Sequence, residues 1–196
     1  MIQQILAEAR RIHIIGGAGA GKTTLARQVA ERLRASAFDL DEIAYEGGAG
    51  PARSIAERRQ AVHRIATEAF WVTEGGYLWW IDELLDTADV IVWLDLPFRI
   101  AAWRIVLRHV RASLARTNRH RGLRKLARFL RWNRGYYHNT SPPPATSDDH
   151  IMASRAATAR YLALYTAKLI HCHRPADVTI VLHNIPRSSV EQSTHQ

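Results

Sequence analysis

Cysteine is almost missing from these 196 residues: Cys172 stands alone, which excludes an intramolecular disulfide and a cysteine-rich zinc site. No apolar run approaches the roughly 20 residues that a bilayer-spanning helix needs. The opening MIQQILAEARR has too short an apolar stretch for a secretory signal and carries an acid inside it. A cytoplasmic protein with no transmembrane segment is the expectation. Internal repeats and low-complexity arrays are lacking too, and 47% hydrophobic with 23% charged residues excludes wholesale disorder. A chain of this length is most simply one domain over 1–196, able to bury a core without covalent staples.

A further scarcity is local. Between Leu96 and Ser147 there is no Asp or Glu, while eleven arginines and one lysine give that segment a charge of +12. The remainder holds 15 basic and 18 acidic residues, so the net +9 of the chain comes wholly from this stretch. Such a concentration points to an anionic partner: a nucleotide, nucleic acid or acidic lipid. The Pro142–Pro144 run cannot continue a helix and marks a loop. The tail 186–196 is polar and expected to fray.

What is present reads as strands alternating with helices. Apolar runs fit buried strands at Ile12–Ile15, Ala37–Leu40, Phe70–Thr73, Val90–Leu94 and Val178–Leu182. Leu25, Val29 and Leu33 repeat at helical spacing, as do Ile55, Val62, Ile65 and Ala69. Ile100, Trp103, Leu107, Val110 and Leu114 give a long helix with arginines on its other faces, and a later helix is expected near 154–169. This alternation predicts an α/β domain with a parallel sheet.

After the first strand comes Gly16, Gly17, Ala18, Gly19, Ala20, Gly21, Lys22, Thr23, which satisfies the G-x-x-x-x-G-K-[ST] pattern between a strand and a helix. Glycines let backbone N–H groups converge on phosphate oxygens at a helix N-terminus. Lys22 is then the residue to reach the β- and γ-phosphates of ATP, with Thr23 a ligand of Mg²⁺ and Thr24 completing the nucleotide-binding run. Asp95 ends the fourth apolar run, where a carboxylate at the sheet edge can hold Mg²⁺ through water; the alternative is a cap for the helix after Pro97.

From here the chain resembles the adenylate-kinase-like branch of P-loop kinases, and within it the small predicted nucleotide kinases labelled DNA topology modulation proteins. The likeness spans roughly 10–185. It rests on the phosphate loop with Thr24, Leu25, Ala26 and Arg27, on Asp39-Leu40-Asp41, on Trp71-Val72-Thr73-Glu74-Gly75-Gly76-Tyr77, and on Leu94-Asp95-Leu96-Pro97. An arginine seven residues after Pro97 and another four later, Arg104 and Arg108, match the lid spacing of adenylate kinases. The resemblance implies a P-loop NTPase fold of three α/β/α layers, with five parallel strands in the order 2-3-1-4-5. It also implies an acceptor region after the second strand and an Arg-rich helical lid over about 104–150. Departures cluster in the acceptor region: Glu74 stands for the usual Asp, Gly76 for the usual Asn and Tyr45 for the usual Trp.

The activity so implied is transfer of the ATP γ-phosphoryl to a small acceptor, a nucleotide or nucleoside, with Mg²⁺. Lys22, Arg104, Arg108 and Asp41 are the expected catalytic residues. Arg104 and Arg108 lie one helical turn apart, suited to clamp phosphate, and Arg111, Arg116, Arg119 and Arg121 are further lid candidates. Asp39, Asp41, Glu74, Gly75 and Tyr77 are the candidate acceptor contacts, with Asp39 and Asp41 expected to point the same way along one strand. Tyr77, Trp79 and Trp80 are stacking or core residues, Arg155 and Arg160 further phosphate ligands or surface groups. The His171-Cys172-His173 run reads as a solvated helix end rather than a metal site, no further ligand being near in sequence. Two other readings stay open: a small-metabolite kinase of the shikimate-kinase type, and a nucleotide-dependent nucleic-acid binder gripping phosphates through 99–134.

Overall fold

A computed structural model describes residues 2–115, 122–139 and 154–187. Helix α1 (Ile2–Glu8) leads into strand β1 (Arg11–Gly16), followed by α2 (Lys22–Leu33), β2 (Ser36–Asp39) and α3 (Leu40–Ala44). Helix α4 (Ile55–Ala66), strand β3 (Trp71–Gly75), α5 (Asp82–Thr87) and β4 (Val90–Leu94) complete the first half. A helical pair follows, α6 (Phe98–Leu114) and α7 (Leu123–His138), then α8 (Arg155–Leu162), β5 (Leu169–Cys172) and α9 (Pro175–Asn184).

The five strands are parallel in the order β2-β3-β1-β4-β5, as the resemblance implied. β1, β3 and β4 are buried on both faces, which is why they read as near-continuous apolar runs. Side-chain alternation divides them between two cores. Ile12, Ile14, Val90 and Val92 meet Leu6, Leu25, Val29 and Val181 on the face covered by α1, α2 and α9. Ile15, Ile91 and Trp93 meet Leu40, Val62, Leu84 and Leu162 on the face covered by α3, α4, α5 and α8. His13 lies fully buried with Nδ1 2.9 Å from Thr73 Oγ1, and burial pushes its pKa down to about 3, so the ring is neutral.

Two expectations are corrected. Val178–Leu182 is not the fifth strand; it lies within α9, and the strand is Leu169–Cys172. The reason is local: Pro175 at the helix start and Asp177 closing a capping box launch a helix that buries Val181 and leaves Ile180 exposed. The apolar stripe of α6 also faces differently from expectation. Ala101 and Ile105 are its buried residues, while Trp103, Val110 and Leu114 are 65%, 46% and 80% exposed. The helix expected near 154–169 is α8, which tightens into a 3-10 stretch over Ala163–Lys168. The proline run and the tail beyond 187 lie outside the described residues. No described helix is long and apolar enough to cross a membrane.

Candidate nucleotide and acceptor site

The phosphate loop joins β1 to α2 and ends as the N-terminus of that twelve-residue helix. Gly19 (φ 79°) and Gly21 (φ 100°) adopt left-handed backbone that a side chain would strain. Gly19 has no room either: a Cβ there would sit 2.6 Å from the carbonyl oxygen of Ala101. Lys22 folds back so that Nζ donates to Gly17 O at 3.4 Å. The Thr23 hydroxyl donates to Glu74 Oε1 at 2.5 Å. That bond exists because β3 lies beside β1 in register Ile14↔Glu74, so the end of β3 abuts the loop.

Both helices of the Arg-rich segment reach this loop. Arg104 Nη1 donates to Ala20 O at 2.6 Å, and Asn133 Nδ2 donates to Ala18 O at 3.2 Å. The Tyr136 ring covers Gly17, where a Cβ would come within 2.9 Å of it, and its hydroxyl accepts from Trp93 Nε1 at 3.4 Å. α6 therefore leaves the loop and α7 returns to it. Arg108 and Arg111 line the cavity beyond Arg104. Arg116, Arg119 and Arg121 lie outside the described residues.

A cavity of about 1310 Å³ opens over the loop. Its cationic lining is Lys22, Arg104, Arg108 and Arg111; its acidic lining is Asp39, Asp41 and Glu74, joined there by Gly75 and Tyr77. Asp39 and Asp41 do not share a strand: Asp39 ends β2 and caps α3 by accepting from the backbone N–H of Asp41 at 2.9 Å. The Tyr77 hydroxyl donates to Asp41 Oδ1 at 2.6 Å. Burial raises the pKa of Glu74 and of Asp39, and burial with the Asp41 bond raises that of Tyr77. Trp80 is a core residue and Trp79 packs half-buried beside it.

The buried Asp95 carboxylate, the other expected Mg²⁺ group, is held by Arg155, with Nε to Oδ1 at 2.6 Å and Nη2 to Oδ2 at 2.8 Å. His171 Nε2 stands 2.9 Å from Oδ2, with its ring stacked on Trp93 at 3.9 Å, and His173 Nδ1 stands 3.7 Å away. The H-C-H run is thus the end of β5, not a helix end, and its third polar neighbour comes from β4. The guanidinium already neutralises that carboxylate, and the Arg155–Asp95 bond ties α8 to the sheet edge. Arg160 is exposed on α8.

The Thr23–Glu74 bond was legible in principle, since the strand order puts the third strand next to the first. Phe129, Trp132 and Asn133 of α7 also bear on the cavity or the loop. Nothing in their local sequence announces this, because a hairpin over a hundred residues downstream brings them there.

Topology and loop together define a P-loop fold. No protein-family model matches the chain. Uncharacterized protein YqaC of Bacillus subtilis (strain 168) is 32% identical over 101 residues, which are 51% of this chain and 56% of that protein. The chain thus matches little more than half the length of that curated relative. Among solved structures, shikimate kinase from Acinetobacter baumannii in complex with shikimate is 17% identical, covering 92% of this chain and 93% of its own, at a TM-score of 0.47. A gluconokinase from Sinorhizobium meliloti 1021 is 14% identical, with 90% and 91% covered, at a TM-score of 0.46. The narrower likeness to the DNA topology modulation group has no counterpart among these matches.

Proposed function

We propose that the protein is an ATP-dependent kinase that moves the γ-phosphoryl of ATP to a hydroxyl of a small acceptor. The observation that carries this reading is the Thr23–Glu74 hydrogen bond under the glycine loop, in a cavity whose two linings have opposite charge. Lys22, Arg104 and Arg108 bind the donor phosphates, where fixed cations stabilise charge spreading over the transferred oxygens. Thr23 and Glu74 offer the hard oxygen ligands that suit Mg²⁺, and they rather than Asp95 are the residues that would hold it. When bound, the cation neutralises phosphate charge and fixes the polyphosphate. Asp41, with one oxygen occupied by Tyr77, accepts the acceptor hydroxyl proton with the other. The acceptor oxygen then bonds to phosphorus as the bond to the β-phosphate oxygen breaks and ADP leaves.

Asp39 and Asp41 on the acceptor side favour hydroxyl-rich acceptors, nucleosides or polyols, over nucleoside monophosphates, whose charge they would repel. The nucleic-acid reading of 99–134 is less economical, because Arg104, Arg108 and Arg111 line the cavity itself. The test offers the full chain Mg-ATP with a panel of nucleosides, monophosphates and polyols while ADP is followed. One or more hydroxyl acceptors should raise ADP formation well above the ATP-only rate. No acceptor-dependent turnover, coupled with tight salt-sensitive DNA binding, would overturn the kinase reading.

A further inference from the structure

The cavity has an apolar part that the phosphate chemistry leaves unused. Phe129 and Trp132, one turn apart on α7, line it with ring centroids 5.4 Å apart. Trp132 is 50% exposed, so this pair does not serve as core; Asn133 and Tyr136 of the same helix do the packing against the loop. Pro175, Val178 and Leu182 of α9 add apolar lining to the same cavity.

Distance along the helices sets the position of the aromatic pair. Asn133 marks the level of the phosphate loop on α7, and Arg104 marks it on α6. At 1.5 Å per residue, Phe129 lies about 6 Å outward from Asn133, and Arg108 about 6 Å outward from Arg104. Phe129 thus lies at the outward level of Arg108 and Trp132 nearer the loop, both lining the same cavity as Arg108 and Arg111, with no acidic residue on either helix. The carboxylates that line the cavity come from β2, α3 and β3 instead.

We propose that Phe129 and Trp132 form a stacking platform for the nucleobase of the donor nucleotide. This subsite rests on the kinase reading above and supplies what that reading lacks, a reason to prefer a nucleotide over bare polyphosphate. Flat aromatic faces beside guanidinium groups suit any purine or pyrimidine, so the platform gives affinity for a base rather than choice among bases.

Calorimetric titration of the full chain with Mg-ATP and with Mg-tripolyphosphate tests it, since the second ligand has the phosphates and no base. Wild type should bind Mg-ATP about tenfold more tightly than Mg-tripolyphosphate. Trp132→Ala should lose about tenfold in ATP affinity while tripolyphosphate stays within about twofold of wild type. Trp132→Phe should recover most of the loss. Trp103→Ala, on the exposed face of α6 away from the cavity lining, should change neither. Retained tripolyphosphate binding reports that the variants are folded. Unchanged ATP affinity in Trp132→Ala, equal losses for both ligands, or a wild type without ATP preference would each overturn the platform. Lys22→Ala separates the two claims: it should weaken both ligands, and if it weakens neither, the phosphate-loop reading itself fails.

Discussion

Glu74 is the residue on which most of the site turns. It is 5% exposed, accepts from Thr23 and has its pKa raised by burial. The sign of the consequence follows from linkage. A carboxylate whose folded pKa exceeds its unfolded value binds more protons in the folded state, so its charge costs stability as pH rises through the folded pKa. Glu74→Gln should therefore raise Tm at pH 7, with the gain shrinking as pH falls through the folded pKa. The same substitution should lower kcat/KM by about 10²-fold, since the negative charge and one of the two carboxylate oxygens are gone. At the acceptor side, Asp41→Asn should lower kcat by about 10²- to 10⁴-fold and leave ATP affinity in place, measurable by calorimetry on the same preparation. If ATP affinity falls with kcat, Asp41 acts on the donor instead.

At the scale of elements, the polar bonds described for β4, α6, α7 and α8 are open to test. Removing the guanidinium with Arg155→Ala leaves the buried Asp95 carboxylate facing only the imidazoles of His171 and His173 among the described residues. Chemical denaturation should report a loss of about 2 kcal/mol. Gly19→Ala meets both a left-handed φ and the Ala101 carbonyl, and should cost about 1–3 kcal/mol while weakening nucleotide binding. These contacts also explain how much the sequence disclosed. The phosphate loop and four of the five strands follow from motif and periodicity, because each is set within a few residues, whereas the sheet order came only with the family resemblance. The fifth strand was misplaced since Val178–Leu182 is as apolar as a strand and only Pro175 and Asp177 make it helical. The Asp95–Arg155 and Thr23–Glu74 pairings join residues 60 and 51 positions apart, and local patterning does not rank such partners.

For the molecule as a whole, described helices of the +12 segment and the near-neutral remainder line one cavity together. Arg104, Arg108 and Arg111 come to it from α6, and Asp39, Asp41 and Glu74 from β2, α3 and β3. On the proposed reading the cations take the anionic donor and Asp41 faces the hydroxylated acceptor. Exposed arginines such as Arg124, Arg128 and Arg131 on α7 stay outside the cavity lining. Their contribution to nucleotide binding should be screened by salt, in contrast to the loss from Lys22→Ala. The most direct measurement is phosphorus magnetic resonance of Mg-ATP incubated with the protein and an acceptor found by the panel. The account predicts that the γ-phosphoryl signal moves to a phosphate ester in step with ADP formation, and that Lys22→Ala abolishes the transfer while the fold persists. Release of inorganic phosphate alone, or transfer undiminished in Lys22→Ala, would contradict it.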